Sequence, residues 1–517
     1  MADIVISKFN ESYGYLLTDD YTLAKDIWEA TSFWAPGYRF MPSYINGWFD
    51  GRIRLMNLST RMFPLGLSEF IYKTAQSLGA TVEIEKAVAD SFIDRFTDES
   101  VLREFFASKK FYSKKEQIFP REEQIEATIR SIRSKRCVNI CPTSFGKSIS
   151  ITMECLWFIS RGLRCLIVVP TKDLVDQFAS DILDYATAPE GVQDWYPKVQ
   201  IIYSGQKKEL QDDTNVCIST WQSLSRIEDE EYMNQFDVVI IDECHKSAAA
   251  ALTKLMNLAT AVQYRTGWTG TLSNDSINEL QVVGSFGPPK QIITTKELMD
   301  RNVVADLSIV VARLMYPDNI RAEANKLEYQ KQLKFIESYD RRNLAVLNII
   351  KNFSQTGLLL YKHIKHGEFL YENARKMFPD RNVYLIHGGF FMLNDKKYKT
   401  FEDLKSIIEE DTSGIVIANY QVTSTGISIK NLRWLMFGAP VKSFITTIQS
   451  IGRVLRISKS KSKAVLIDIV DDFSVETRKS KRTVNKMKEN YAVKHFAERF
   501  QYYNQQQFEY TIHNMSI

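Results

Sequence analysis

The stretch Arg136–Ser148, with the sequence RCVNICPTSFGKS, is the most informative part of this 517-residue chain. Residues 136–140 predict a short buried strand, and residues 149–158 beyond the stretch have helical character. A strand, a tight loop and a helix in that order can cradle a polyphosphate, because the loop N–H groups and the helix N-terminus converge on one point. We expect Lys147 to reach the outer phosphates and the Ser148 hydroxyl to bind Mg²⁺.

The loop departs from the usual phosphate-binding pattern at its start. Cys141 occupies a position where that pattern has glycine, whereas Gly146 keeps the backbone clear of a ligand. By itself the stretch is equally compatible with an ordinary turn at the end of a strand, so the rest of the chain has to distinguish the two interpretations. The candidate nucleotide-binding residues of the loop are Thr143, Ser144, Gly146, Lys147 and Ser148.

Composition is that of a globular protein without disulfides or membrane spans. The hydrophobic content is 44% and the charged content 25%, and the length corresponds to about three domains. All six cysteines lie between residues 137 and 244 without zinc-type spacing, which predicts buried thiols in a reducing compartment. No secretory signal and no membrane span are visible, so we expect a cytoplasmic protein. The formal charge of +4 is too small to identify a partner.

Residues 113–295 show the alternation of a doubly wound α/β domain. Helical segments separate the strand candidates, which indicates a mostly parallel sheet with ligands at the carboxyl ends of its strands. The strand candidates are 136–142, 164–170, 200–204, 216–220, 237–242 and 263–270.

Two adjacent acidic residues end one of these strand candidates. Asp242 and Glu243 are costly there unless they serve a cation or a reaction. We expect Asp242 to hold Mg²⁺ and Glu243 to orient an attacking water. Gln124, upstream of the phosphate loop, can bind an adenine edge, although alone it is also an ordinary helix start. His245 is expected to link this site to its neighbours rather than to bind zinc.

Residues 296–475 form a second α/β unit without a phosphate loop of its own. Gln449–Arg456 has the sequence QSIGRVLR, in which Arg453 and Arg456 share one helix face. Two explanations stay open: an arginine finger that stabilises charge on a transferred phosphoryl group, or a solvated basic helix. The strand candidates of this unit are 357–361, 382–386, 414–418, 434–437 and 464–469.

Residues 1–112 form a first unit in which aromatic and arginine residues interleave around glycines. One interpretation is a nucleic-acid surface, with rings stacked on bases and Arg39, Arg52 and Arg54 on phosphates. The other is a small α+β core that buries the rings. We favour burial for most rings and nucleic-acid contact for the three arginines.

Residues 476–517 form a basic C-terminal extension. The segment from Arg478 to Arg499 has eight lysines and arginines against two glutamates. A helix that contacts DNA and a helix that is merely solvated are equally compatible with this charge.

In their order these motifs resemble those of superfamily 2 helicases. Gln124 resembles the adenine-binding glutamine of that family, and Ser428 stands in motif V where many relatives have aspartate. The matching motifs are CPTSFGKS (141–148, motif I), VVPTKDL (168–174, Ia), STWQSL (219–224, Ib), DECH (242–245, II), TGT (269–271, III), NYQVTSTGISIKNL (419–432, V) and QSIGRVLR (449–456, VI).

This resemblance implies two tandem RecA-like parallel-sheet domains and hydrolysis of ATP with Mg²⁺ bound between them. The catalytic residues that it implies are Lys147, Asp242, Glu243, Gln449, Arg453 and Arg456. It adds Gly426 to the nucleotide-binding residues. It places nucleic-acid contacts near Thr171, Thr220, Trp221 and Thr425.

A closer resemblance is to the helicases of T-even-type bacteriophages, and it covers nearly the whole chain. It is carried by GYRFMPSYINGWFDGRIRL (37–55), FPLGL (63–67) and YKHIKHG (361–367). It implies an ATP-dependent DNA helicase or translocase that remodels forks, Holliday-type junctions and R-loops in phage recombination, repair and replication. The expected domains are an accessory DNA-binding domain (1–112), two helicase domains (113–295 and 296–475) and a basic helical extension (476–517).

The expected partners are single-stranded, double-stranded and branched DNA, RNA–DNA hybrids and other replication or recombination proteins, with no membrane. We expect a monomer in the cytoplasm of an infected bacterium. Two alternatives share the core motifs: an RNA-remodelling ATPase, and a nucleotide-switched DNA-binding module with little turnover.

Overall fold

The computed structural model describes all residues except 1, 36, 143, 190, 192–194, 204–208, 246–248, 271–275, 422–428, 430, 441–462 and 478–485. The chain forms two compact units, Met1–Ile293 and Thr294–Ile517. Finer domain boundaries near residues 112 and 475 stay predictions.

The first unit begins with a small α+β part. Its strands are β1 (Ile4–Lys8), β2 (Tyr13–Leu17), β3 (Ser32–Trp34), β4 (Arg52–Arg54), β5 (Met62–Pro64), β6 (Val82–Ile84), β7 (Phe111–Ser113) and β8 (Glu116–Ile118). Its helices are Tyr21–Ala30, Pro42–Ile45, Ser68–Ser77, Lys86–Ala89 and Glu99–Ala107, with 3₁₀ turns at Tyr38–Phe40 and Leu65–Leu67. Among the described residues, four strands form a sheet of order β5-β2-β1-β6, while β3 pairs with β4 and β7 with β8.

A parallel sheet follows in the same unit. Its strands are β9 (Arg136–Ile140), β10 (Cys165–Val169), β11 (Val199–Ile202), β12 (Val216–Thr220), β13 (Val238–Asp242), β14 (Tyr264–Thr269) and β15 (Pro289–Gln291). The helices between them are Glu122–Ser134, Lys147–Ile159, Lys172–Ala186, Trp221–Leu224, Glu230–Met233, Ala249–Leu258 and Ser276–Phe286. In the described part, the order is β11-β12-β10-β13-β14-β9-β15 with all neighbours parallel.

The central strands of this sheet are apolar on both faces because helices cover both. Every residue of β10 and β13 is buried, which matches the continuous runs CLIVV and VVIID rather than an alternating pattern. All six predicted strands of this region are confirmed to within two residues at each end. The predicted site residue Asp242 ends β13, Lys147 begins the helix that follows β9, and β14 ends at Thr269 of motif III.

The second unit contains a larger, mostly parallel sheet. Its strands are β16 (Asp306–Met315), β17 (Gly357–Tyr361), β18 (Val383–His387), β19 (Phe390–Leu393), β20 (Lys396–Tyr398), β21 (Ile415–Asn419), β22 (Trp434–Phe437), β23 (Lys463–Asp472), β24 (Val475–Thr477), β25 (Lys486–Lys488) and β26 (Glu509–Ser516). Its described helices are Thr295–Asp300, Asp318–Ala324, Tyr329–Ser338, Asp340–Ile350, Ile364–Met377, Phe401–Glu410 and Tyr491–Gln505. Where the structure describes it, the sheet order is β20-β19-β18-β21-β17-β22-β23-β16-β26, and β24 pairs with β25.

The five predicted strands of this unit are present, together with further strands that were not predicted. Among these, β16 and β26 pair in parallel over eight residues at one edge of the sheet. The C-terminal segment therefore contains a helix, as expected, and also contributes a strand to the second unit.

The basic residues of the C-terminal helix were expected to face DNA or solvent, and for Arg499 this expectation is wrong. Its side chain is buried and contacts Asp468, with Nη2 2.8 Å from Oδ1. A charge paired inside the unit supports the fold and is not available to DNA.

No helix in the described ranges is long and apolar enough to cross a membrane. All six cysteines are free and buried, as predicted.

Candidate active site

The phosphate loop lies between β9 and the helix that begins at Lys147. Gly146 is the N-cap of this helix with φ of +84°, and it supplies no side-chain cap to the free N–H groups of the first turn. Ser144 also has a positive φ, +76°. Exposed N–H groups at a helix N-terminus bind anions, so the loop has the geometry expected for a polyphosphate.

Two side chains from the preceding segment hold this loop. Gln124 donates from Nε2 to the carbonyl oxygen of Phe145 over 2.7 Å, and Arg121 donates to the same oxygen. The Gln124 Oε1 atom accepts from the backbone N–H of Arg121 at 2.8 Å, which caps the helix. Gln124, which was predicted to bind the nucleotide, thus lies against the phosphate loop. The contact of Arg121 with the loop was not predicted, because nothing in the sequence shows that Arg121 lies beside Phe145.

Lys147 reaches the acidic end of β13, which lies two strands away from β9 in the sheet. Its Nζ atom is 2.6 Å from Glu243 Oε1 and 3.3 Å from Asp242 Oδ1. Burial opposes the charge on Lys147, but the two carboxylates more than compensate, so the pKa of Lys147 is raised. Burial also raises the pKa of Asp242, while Lys147 acts in the opposite direction. The structure therefore brings together the three residues predicted to act on a bound phosphate.

The acidic pair continues into a polar chain. Glu243 has φ of +54°, and its Oε2 atom lies 3.3 Å from His245 Nδ1. The same ring nitrogen is hydrogen-bonded to Thr269 Oγ1 at the end of β14. His245 thus links the site to its neighbour strand, as predicted. In the described part of the chain, no group of three His, Cys, Asp or Glu side chains could hold a metal ion.

The residues present suit Mg²⁺ that arrives with a nucleotide. Ser148 offers a hydroxyl and Asp242 a carboxylate, the oxygen ligands that Mg²⁺ uses when phosphates supply most of its coordination. Ser148 Oγ is 2.9 Å from the hydroxyl of Tyr185, which fixes its position. Tyr185 was missed because it lies at the far end of another helix, with no signal in the sequence.

The residues predicted to contact nucleic acid lie at helix starts along the same edge of the sheet. Thr171 caps the helix Lys172–Ala186, and Thr220 caps the helix that begins at Trp221. Gln222 Nε2 donates to the carbonyl of Pro170 over 3.2 Å, so the two segments adjoin. Their placement is compatible with the predicted contacts and does not test them.

The three N-terminal arginines differ in their surroundings. Arg52 Nη1 lies 2.6 Å from Glu29 Oε2, and Arg54 Nη2 lies 2.6 Å from Asp50 Oδ2. Arg39 is exposed and donates from Nε to the Tyr38 hydroxyl over 3.2 Å. The preference for buried rings is wrong for Phe40 and Trp48, which are 86% and 84% exposed.

The second unit adds a basic groove of about 860 Å³ that was not predicted. It lies beside the YKHIKHG motif, at the start of the helix Ile364–Met377. Three lysines and two carboxylates line it, namely Lys334, Lys362, Lys365, Glu337 and Asp340, together with His363.

Several predicted residues lie outside the described residues, and their roles stay predictions. They are Thr143, Thr425, Gly426, Ser428, Gln449, Arg453 and Arg456.

Comparisons with known proteins agree with this fold. Residues 117–274 match the family model "Type III restriction enzyme, res subunit", and residues 3–85 match "DNA helicase UvsW, N-terminal". The chain is 28% identical to the ATP-dependent DNA helicase uvsW of Enterobacteria phage T4 over 492 residues, 94% of each chain. It is 26% identical to the putative helicase 161L of Invertebrate iridescent virus 6, covering 64% of this chain and 71% of the relative. The crystal structure of T4 UvsW matches with a TM-score of 0.52 and 27% identity, covering 99% of each chain.

The parallel sheets, the phosphate-loop site and these matches confirm the predicted class. The chain is an ATP-hydrolysing enzyme of helicase type, and it is similar to superfamily 2 helicases in its fold and in the order of its motifs. Over almost its whole length the chain is similar to the UvsW helicase of phage T4.

Proposed function

We propose that this chain is an ATP-dependent DNA helicase or translocase that remodels branched DNA, such as forks, Holliday-type junctions and R-loops. The observation that carries the ATP-dependent part of the proposal is the contact of Lys147 with Asp242 and Glu243 at the carboxyl edge of a parallel sheet. The similarity to a phage DNA helicase supports roles in recombination, repair and replication in the cytoplasm of an infected bacterium.

Each residue of the site has a chemical task under this proposal. Lys147 exchanges its carboxylate partners for phosphate oxygens, since both are anionic oxygens. Ser148 and Asp242 hold Mg²⁺, which neutralises charge on the phosphates when it is bound. Glu243, oriented by His245, accepts a hydrogen bond from the attacking water. Gln124 lies against the loop and binds the adenine edge.

Three further features support a nucleic-acid substrate. Thr171 lies where the helix Lys172–Ala186 begins, a position suited to a backbone phosphate, and the segment of Thr220 and Trp221 adjoins it. The basic groove of the second unit presents Lys362 and Lys365 near a helix start, which also favours phosphate. The N-terminal part contributes Arg39 as an exposed cation.

ATP hydrolysis by the wild type and Lys147→Ala tests the proposal. Turnover is measured without nucleic acid and with single-stranded DNA, forked DNA or single-stranded RNA, at two salt concentrations. We expect turnover to rise most with forked DNA and to be lost in Lys147→Ala. Lys254→Ala is the matched control, because Lys254 is exposed and forms a surface contact of 3.1 Å with Glu228, away from the phosphate loop.

Three other results of these measurements would contradict the proposal. Turnover that ignores every nucleic acid would show that the helicase core serves another partner. Stronger stimulation by RNA than by forked DNA would favour an RNA-remodelling ATPase. Tight DNA binding that depends on nucleotide but not on turnover would favour a switched binding module.

A further inference from the structure

A pair of hydroxyl groups joins the phosphate loop to a second helix of the first unit. Ser148 lies in the first turn of the helix Lys147–Ile159, and Tyr185 lies in the last turn of the helix Lys172–Ala186. Their hydroxyl oxygens are 2.9 Å apart. Within the described ranges the Ser148 hydroxyl has this one hydrogen-bond partner, so the direction of the Ser148 hydrogen depends on Tyr185.

Both helices are packed, so the two hydroxyls are held in place. Residues 149–158, which follow Ser148 directly, are all buried. Ile182 and Ala186 lie on either side of Tyr185 in its helix and are 1% and 0% exposed. The contact therefore joins two elements of the core and is not a chance meeting of surface side chains.

The β7–β8 hairpin also holds the end of the helix that carries Tyr185. Both carboxylate oxygens of Asp184, the neighbour of Tyr185 in the chain, accept the backbone N–H of Lys114, at 3.1 Å and 3.0 Å. Phe111 at the start of the hairpin is buried. The backbone at Tyr185 is thus fixed by a contact outside its own helix as well as by packing.

The chemistry of a hydroxyl gives the direction of this hydrogen bond its importance. A hydroxyl has one hydrogen and two lone pairs. A serine that gives a lone pair to a cation must turn its hydrogen elsewhere, because a hydrogen aimed at the cation is repelled. The Tyr185 oxygen supplies an acceptor, and the half-buried phenol can give its own hydrogen to water. Ser148 can therefore keep its lone pairs for a metal ion.

Removal of the phenol oxygen separates this role from simple packing. A tyrosine that only packs needs its ring, and phenylalanine retains the ring. A tyrosine that orients Ser148 needs its oxygen, which phenylalanine lacks. Groups that orient a metal ligand contribute about 10- to 100-fold in metal affinity, so the two roles predict clearly different effects.

We propose that Tyr185 is a positioning residue for Mg²⁺: its oxygen accepts the Ser148 hydrogen, which leaves the Ser148 lone pairs to the metal ion. This rests on the proposed function, in which Ser148 and Asp242 hold Mg²⁺. It deepens that function by naming a residue outside the phosphate loop that acts on the metal through Ser148 alone.

Binding of a fluorescent ATP analogue at a series of Mg²⁺ concentrations tests this inference. The analogue is methylanthraniloyl-ATP, and EDTA gives its affinity without metal. We expect Tyr185→Phe to raise the Mg²⁺ concentration needed for half of the metal-dependent gain in affinity by about 10-fold or more. Affinity in EDTA should match the wild type, because Tyr185 acts through the metal ligand only. Excess Mg²⁺ should restore ATP turnover of Tyr185→Phe toward that of the wild type.

Ser148→Ala makes the test specific to the proposed contact. This variant lacks the hydroxyl through which Tyr185 acts. Tyr185→Phe should therefore have no further effect on Mg²⁺ dependence when it is added to Ser148→Ala, whereas independent effects would add. Tyr196→Phe is the matched control, because it removes the hydroxyl of a tyrosine of the same unit that is 67% exposed. Thermal unfolding of each variant confirms that it is folded.

Equal Mg²⁺ dependence of Tyr185→Phe and the wild type would overturn the inference. An equal loss of affinity with Mg²⁺ and in EDTA, or a loss that persists in Ser148→Ala, would also overturn it, since Tyr185 would then support the loop by packing. A wild type whose affinity for the analogue ignores Mg²⁺ would overturn both the inference and the proposed task of Ser148.

Turnover of the wild type with forked DNA separates these failures from failure of the proposed function. If forked DNA stimulates turnover, the proposed function stands even where Tyr185→Phe behaves as the wild type does. If it does not, the proposed function fails whatever Tyr185 does.

Discussion

Gly146 is the residue on which the phosphate loop depends most directly. A Cβ at this position would lie 2.5 Å from Gln124 Nε2, and the backbone φ of +84° is one that other residues rarely adopt. We expect Gly146→Ala to weaken binding of a fluorescent ATP analogue by at least about tenfold, because the loop and Gln124 cannot both keep their positions.

Gly162 supplies the control for this prediction. Its φ is +74°, but no atom of the described residues lies within 4 Å of the position that an added methyl group would take. Gly162→Ala therefore introduces backbone strain without crowding, and it should leave nucleotide affinity unchanged. Similar losses in the two variants would show that backbone strain alone, and not the contact with Gln124, explains the effect.

Glu154 gives the first unit a pH dependence that its surface charges do not explain. It is buried, and it accepts from Thr266 Oγ1 at 2.8 Å and from Trp268 Nε1 at 3.2 Å. Burial raises the pKa of Glu154 to about 8. The folded state therefore keeps a proton that the unfolded chain releases near pH 4.5, so stability from this group is complete below that pH and is lost as pH rises toward 8.

Glu154→Gln should remove this part of the pH dependence. Denaturant unfolding at about pH 5 and about pH 8 measures it, with an expected difference in the wild type of several kcal/mol, roughly 1.4 per pH unit. Glu126→Gln, on the exposed face of a neighbouring helix, should behave as the wild type does. Parallel pH profiles for the wild type and Glu154→Gln would contradict the assignment.

At the scale of elements, the N-terminal sheet is fixed to the helix Ser276–Phe286 by a contact between backbones. A Cβ at Gly66 would lie 2.1 Å from the carbonyl oxygen of Val283 and 2.6 Å from that of Gly284. Neither backbone atom can move easily, so Gly66→Ala should destabilise the first unit by about 2–3 kcal/mol or separate the N-terminal sheet from the helix. Limited proteolysis and thermal unfolding distinguish these two results.

Gly79→Ala is the matched variant, since its methyl group would meet no described atom within 4 Å although its φ is +83°. It should cost about 1–2 kcal/mol through backbone strain and leave the proteolysis pattern unchanged. If Gly66→Ala were as stable as the wild type, the two elements would have to repack without this contact.

The same scale shows which parts of the structure the sequence could predict. Parallel strands such as β10 and β13 were predictable because they are continuous apolar runs. The residues that follow such strands lie at the same edge of the sheet, whatever the loops between them look like. β26 could not be predicted, because six of its eight residues are exposed in succession and its partner β16 is about 200 residues away. β26 therefore carries no alternating apolar pattern that would have predicted a strand.

Side-chain partners were less predictable than strand ends. The sequence predicted that Lys147 and Asp242 would act on the same bound phosphates, because both follow predicted parallel strands whose carboxyl ends share one edge of the sheet. It could not predict that Tyr185 reaches Ser148, or that Arg499 turns inward to Asp468, since nothing local distinguishes a buried arginine from an exposed one in a basic helix. The exposed Trp48 was missed for the opposite reason, because aromatic residues are usually buried.

At the scale of the whole molecule, stability belongs to two compact units and is not one quantity. Arg499 and Asp468 form a buried ion pair in the second unit, and the Tyr503 hydroxyl donates to Asp468 Oδ2 over 2.9 Å. Arg499→Met leaves the Asp468 charge buried without its cation, which costs about 3–5 kcal/mol. We expect calorimetry to show two transitions, of which only that of the second unit is lowered.

Two variants make this last prediction specific. Asp468→Asn combined with Arg499→Met removes the buried charge and should restore part of the lost stability, because the penalty comes from the unpaired carboxylate. Lys73→Met breaks an exposed pair with Glu69 in the first unit and should shift neither transition appreciably. A single transition that moves as a whole in Arg499→Met would mean that the two units unfold together. Changes made near Asp468 would then be felt at the phosphate loop, and effects on turnover could no longer be assigned to one unit.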